Sequence, residues 1–92
     1  MKKEELVEFA ESKGSCWFAP NTMQFFGTVV ETDVDDNGLF ITSEKDPTGQ
    51  AWQGKRRYTI RKIDFETADI SDFSDFGEFE RFSDALEAML SA

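Results

Sequence analysis

Asp35-Asp36-Asn37-Gly38 lies between two strand-like runs, Thr28 to Thr32 and Leu39 to Ser43. Asn-Gly accepts the positive φ of a tight type I′ turn, so the two runs are expected to form an antiparallel hairpin. A third strand follows from Arg56 to Asp64. There Arg57, Thr59, Arg61 and Ile63 alternate with Arg56, Tyr58, Ile60 and Lys62. Lys45 to Gly54, with Pro47, Gly49 and Gly54, reads as an exposed loop between these strands.

Helical signals lie at both ends. Lys2 to Lys13 places Leu6, Val7 and Ala10 on one face with Phe9 beside them, and Gly14 is a natural C′ stop. Glu4 and Glu5 in the first turn suit the helix dipole. Pro20-Asn21-Thr22 marks a turn, with one helical turn through Met23 to Phe26 as an option. After Thr67, Phe73, Phe76, Phe79 and Phe82 recur every third residue, a spacing open to helix or strand. Gly77, the weak helix formers around it and an N-cap at Ser83 favour a bulged fourth strand to about Phe82, then a helix Asp84–Leu90. The expected fold is α+β: a four-stranded antiparallel meander with an N-terminal and a C-terminal helix packed on one face. It forms one domain over 1–92, with helix in 1–14, sheet in 15–82 and helix in 83–92.

Composition narrows the function classes. Ten Phe in 92 residues argue against an acidic disordered chain. No stretch reaches the roughly 18 apolar residues of a membrane span, and Met1 to Glu5 leads into alternating acids and apolars, unlike a signal peptide. A single Cys16 excludes an internal disulfide and reads as a small core residue in a reducing cytosol. With no His, Ser/His and Cys/His nucleophile pairs are absent, and no phosphate-binding Gly loop is present. No catalytic residue and no cofactor is expected.

The net charge of −9 is unevenly spread. Lys55, Arg56, Arg57, Arg61 and Lys62 hold half of all the bases, and only Arg81 accompanies nine acids from Asp64 onward. Cross-strand neutralisation is the simplest use of such a basic strand. Two contact surfaces stand as alternatives. The first is an acidic face of Asp72, Asp75, Glu78 and Glu80, with Asp35 and Asp36 secondary, that imitates nucleic-acid phosphates. One strand carries an acid only every ~10 Å, against one DNA charge per roughly 3.4 Å of strand, so several acidic elements must act together. The second is a basic and aromatic patch of Trp52, Lys55, Arg56, Arg57, Tyr58 and Arg61, read as a nucleic-acid-binding accessory surface. Trp52 itself is either an exposed anchor or folded back on the sheet edge.

Asp33 to Glu44 also fits the calcium-loop spacing D-x-[DN]-x-[DN]-G-x₅-E. Asp33, Asp35, Asn37 and Glu44 would supply side-chain oxygens and Leu39 a carbonyl. The strand-like flank before Asp33, and Pro47 after Glu44, oppose the helices that such a loop needs, leaving a solvated acidic turn as the preferred reading.

Four stretches carry a family resemblance: Cys16-Trp17-Phe18-Ala19-Pro20-Asn21-Thr22-Met23-Gln24-Phe25-Phe26-Gly27, Leu39-Phe40-Ile41-Thr42-Ser43-Glu44, Arg57-Tyr58-Thr59-Ile60-Arg61 and Gly77-Glu78-Phe79. In order and type they resemble a family of small uncharacterised proteins of bacteriophages, prophages and other mobile elements. Ala19 and Gln24 depart from that family's usual Ser and Arg. The resemblance implies a bacterial cytoplasm and a mobile-element setting, with no activity to carry over. The resulting expectation is a non-enzymatic interaction protein whose acidic surface meets a host or phage protein, such as a defence nuclease or DNA-binding protein. Direct nucleic-acid binding and weak Ca²⁺ binding are the alternatives.

Overall fold

The hairpin around Asn37-Gly38 forms, but with a different turn. In the computed structural model, which describes all of residues 1–92, Gly38 N–H closes onto the Asp35 carbonyl at 3.0 Å and Gly38 takes a φ of 82°. Asn37 is not at positive φ, so this is a three-residue loop with a glycine bulge. A Cβ at Gly38 would strike the Ile63 carbonyl oxygen. The position therefore demands glycine twice, for conformation and for space.

Seven elements follow in order: α1 (Lys3–Ser12), α2 (Pro20–Phe25), β1 (Val29–Val30), β2 (Leu39–Glu44), β3 (Arg57–Ile63), β4 (Ile70–Asp72) and α3 (Phe82–Leu90). The strands form one antiparallel sheet in the order β1-β2-β3-β4, the expected meander. The first strand is shorter than the run Thr28 to Thr32 because Ile41 N–H takes the Thr32 hydroxyl, at 2.9 Å, in place of a backbone partner. β4 stops at Asp72. Phe73 and Ser74 both donate N–H to the Ile60 carbonyl, a bulge, and backbone pairing with β3 resumes at a Tyr58–Phe79 bridge. Helix α3 begins at Phe82 behind an Arg81 cap residue, so Ser83 lies inside its first turn and is not the N-cap.

The two terminal helices lie on opposite faces of the sheet. Leu6 and Ala10 of α1 join Phe40, Ile63, Val34, Phe18 and Ala68 in one cluster. Ala85 and Met89 of α3 join Leu39, Ile41 and Ile60 in another. Phe40 alternates with Leu39 and Ile41, so the two clusters are the two faces of β2, and every residue of β2 is buried. The expectation of one shared face fails because apolar side chains on both sides of β2 each need a cover.

Cys16 is exposed, contrary to its reading as a core residue. Its neighbour Phe18 enters the α1 cluster, while the Cys16 carbonyl accepts Ala19 N–H at 3.0 Å. No helix is long and apolar enough to cross a membrane.

Candidate binding site

On the α1 face, the half of the sheet beyond Phe40 is polar inside. Glu44 is wholly buried, and Arg61 Nη2 donates to its Oε1 at 2.7 Å. Thr59 Oγ1 donates to Glu44 Oε2 at 2.9 Å, and Thr42 Oγ1 donates to Oε1. Arg61 Nε donates in turn to Thr42 Oγ1 at 3.0 Å, and Nη1 donates to Asp72 Oδ1. Gly77 N–H completes the circuit by donating to Thr59 Oγ1 at 2.8 Å. No buried side-chain nitrogen or oxygen lacks a partner, as a low-dielectric site requires.

Aromatic rings roof this network. The Arg61 guanidinium carbon lies 5.3 Å from the Trp17 ring centroid and 5.6 Å from that of Phe76, within cation–π range of both. From Phe76 the rings continue outward, to Trp52 at 5.6 Å and to Phe26 at 4.9 Å, and Phe25 stands 4.8 Å from Phe26. Phe76 is 37% and Phe25 66% exposed, so the row is open to solvent. Trp52 has folded back: a Cβ at Gly77, whose φ is 65°, would lie 2.6 Å from its Cζ2.

The far end of this row opens into a pocket of about 440 Å³ lined by Trp52, Gln53, Lys55, Arg57, Glu80 and Arg81. Arg57 is held by its Nη2 on the Glu78 carbonyl at 3.0 Å and by Nη1 on Glu80 at 3.3 Å. Arg81 is 77% exposed on its side chain and its Nε meets Asp84 at 3.0 Å. Lys55 makes no side-chain hydrogen bond or ion pair. The basic set expected from sequence thus divides. Trp52, Lys55 and Arg57 share the pocket, Arg61 is sealed beneath the aromatic roof, and Arg56 and Tyr58 are spent on structure. Arg56 donates to Ser43 Oγ at 2.8 Å and to the Gly27 carbonyl, and Tyr58 meets Phe82 edge to face with centroids 5.8 Å apart.

The acidic set divides as well. Asp72 and Glu80 are ion-paired to Arg61 and Arg57, and Glu78 Oε1 accepts Asp75 N–H at 3.0 Å. These four acids lie along β4 and the segment after it, whereas Asp35 and Asp36 stand at the β2–β3 end marked by Gly38 and Ile63. There the turn after β3 joins them, with Asp64 N–H on the Asp69 carbonyl at 2.9 Å, and Lys3 N–H ties the start of α1 to Asp33 Oδ1 at 2.9 Å. Asp33, Asp35, Asp36, Asp64, Glu66 and Asp69 therefore gather at one end, with Glu4 and Glu5 of α1 near them. Lys2, Lys3, Lys62 and the Met1 amino group are the cations of that end.

Several of these carboxylates are fixed. Asp35 Oδ1 accepts the N–H of Asn37 and of Leu39, each at 2.9 Å. Asp64 Oδ1 accepts Glu66 N–H at 2.7 Å and Thr67 N–H at 3.2 Å, and these bonds hold its pKa below the ordinary carboxylate value. In the loop before β3, the Thr48 hydroxyl and then Ala51 N–H lower Asp46 to about 2.

The calcium-loop reading does not survive the geometry. Glu44 sits five residues along β2 from Leu39, about 17 Å at the usual strand rise, with both oxygens bound to Thr42, Thr59 and Arg61. Asp33 and Asp35 meanwhile accept backbone N–H groups at the turn. A strand in place of an exit helix carries the twelfth-position acid away from the others.

Sequence reading missed Arg81, Phe25, Phe26 and Phe76 as pocket and row members, and Asp64, Glu66 and Asp69 as members of the acidic end. Arg81 had one usable signal, as the lone base among nine acids. The turn acids had none, because their neighbours come from residues some thirty positions away.

No curated protein and no solved structure matches the sequence. A model of a family of unknown function matches residues 3–90. It spans both faces of the sheet, the buried Arg61–Glu44 network and the pocket, and the chain belongs to that family, DUF7447.

Proposed function

We propose that this chain is a non-enzymatic interaction protein that engages a basic partner protein through the carboxylates at its hairpin end. The supporting observation is the convergence there of the Asp35-Asp36 loop, the Asp64–Asp69 turn and the start of α1. A single acidic strand is too sparse to match the charge density of nucleic acid, whereas three elements side by side multiply that density. Asp35 and Asp64 are held by backbone N–H groups, so little side-chain freedom is lost when a cation docks on them. Charge of this kind speeds encounter with a basic surface and orients it.

The motif resemblance supports a bacteriophage or mobile-element setting in a bacterial cytoplasm. The concrete form of the proposal is inhibition of a host defence nuclease or other DNA-binding protein by occupation of its basic groove. Asp36, Glu66 and Asp69 accept no side-chain hydrogen bond, so reversing them leaves the loops intact. A pulldown from host lysate is compared between wild type and Asp36/Glu66/Asp69→Lys, with duplex DNA as eluent. Capture of a DNA-binding protein that duplex DNA releases, and that the triple reversal abolishes, supports the reading. Capture that survives the reversal sinks it.

A further inference from the structure

The chain's opposite end has a different chemistry. Three of its ten cations, Lys55, Arg57 and Arg81, line one pocket with Glu80 as the acid among them and Trp52 as its wall. The rings of Phe76, Phe26 and Phe25 run on from Trp52 as a solvent-open row. We propose that this pocket and row form a second binding site, for a short acidic peptide segment that carries an aromatic or aliphatic side chain.

Charge complementarity selects the occupant. Lys55 has no partner, and Arg81 offers two unoccupied guanidinium nitrogens beyond the Nε that meets Asp84. Arg57 is already oriented, with Nε and Nη2 pinned to the Gly77 and Glu78 carbonyls. Its remaining contact is a carboxylate, Glu80 at 3.3 Å, whose side chain is 80% exposed. An ion pair that open to water is weak. Glu80 thus occupies the place an incoming carboxylate would take and yields it at little cost. Next to this charged pocket, an apolar side chain of the same segment covers the solvent-open parts of Phe76 and Phe25. Trp52 and Arg57 are the residue types that dominate contact energies in such sites.

A long polyanion fits the surroundings poorly. Glu80 lines the pocket, Asp84 pairs with Arg81 at its edge and the whole chain carries −9, so a nucleic-acid strand leaving the pocket meets repulsion. A peptide presents its carboxylates only where Lys55, Arg57 and Arg81 stand.

The test is fluorescence anisotropy on the full chain with a short labelled peptide of glutamates flanking a central phenylalanine pair. Saturable binding is expected, weakening by roughly tenfold in Lys55→Glu and in Arg81→Glu, the scale of one well-placed charge contact. Glu80→Gln is expected to tighten it by removing the internal competitor. Replacing the peptide's phenylalanines by serine weakens binding in the wild type. Circular dichroism confirms folding of each variant, since all three side chains are surface groups. Affinity indifferent to both cation reversals overturns the proposal, and so does an oligothymidylate that binds more tightly through the same residues. The Asp36/Glu66/Asp69→Lys variant keeps peptide binding, so failure here and failure of the acidic-end reading are separate results.

Discussion

Arg61 and Glu44 form an ion pair at 2.7 Å that water barely reaches, Glu44 being wholly buried and Arg61 6% exposed. Each charge depends on the other. Glu44→Ala strands the guanidinium, with only half-exposed Asp72 left as a charged partner, and is expected to cost about 3–5 kcal/mol. Replacing both with Met removes both charges and is expected to recover most of that loss. Urea unfolding followed by circular dichroism checks the order; equal losses in single and double variants would contradict it.

Gly77→Ala meets two obstacles, a φ of 65° and the Trp52 ring 2.6 Å from the new methyl. The ring can yield, so a loss of roughly 1–3 kcal/mol is expected. It should be accompanied by a shift in tryptophan emission as Trp52 moves. A stable variant with unchanged emission would show that Trp52 does not pack there.

Gly38→Ala has no such relief, because the obstacle is the backbone carbonyl of Ile63. It is expected to destabilise more than Gly77→Ala in the same urea measurement. A smaller loss than at Gly77 would place the hairpin loop elsewhere.

Asp46 is half-buried and its folded pKa lies at about 2, below its ordinary 3.8, chiefly through the Thr48 hydroxyl and then Ala51 N–H. A depressed carboxylate contributes stability above the unfolded value, lost as pH falls through the folded one. The contribution of Asp46 is therefore complete near pH 5 and declines between about pH 4 and 2. Carboxyl chemical shifts across that range should report the low midpoint. Thr48→Val should raise it, and an ordinary midpoint in the wild type would refute the capped loop.

Millimolar Ca²⁺ is expected to give no binding heat and no change in Tm, since Glu44 is engaged with Arg61 and remote from Asp33 and Asp35. A saturable signal that Asp33→Asn removes would show that these acids do converge.

The hairpin, the alternating third strand and both terminal helices were legible because each rests on local chemistry. A glycine turn, a two-residue or a near four-residue period, and a stop signal all lie within a dozen positions. The break in β4 was half legible. The weak formers from Ser71 to Asp75 spoke against helix, but the bulge opposite Ile60 depends on which strand lies alongside. Trp52 was ambiguous for the same reason, since its place is set by Gly77 and Phe76 from another part of the chain. Cys16 was misread as core because its apolar neighbours do not reveal that Phe18 turns inward while Cys16 stays exposed.

Charge shows the division most clearly. Local order alone established an acidic chain with a concentrated basic strand and a meander to carry it. Only the packed sheet decided that Arg61 would be buried against Glu44, that Arg57 and Lys55 would share a pocket with Arg81, and that the Asp35-Asp36 loop and the Asp64–Asp69 turn would lie at the other end. A side chain's type is written locally. Its partner is chosen by strand register and by which face each strand turns to water, and both arise from contacts between distant residues.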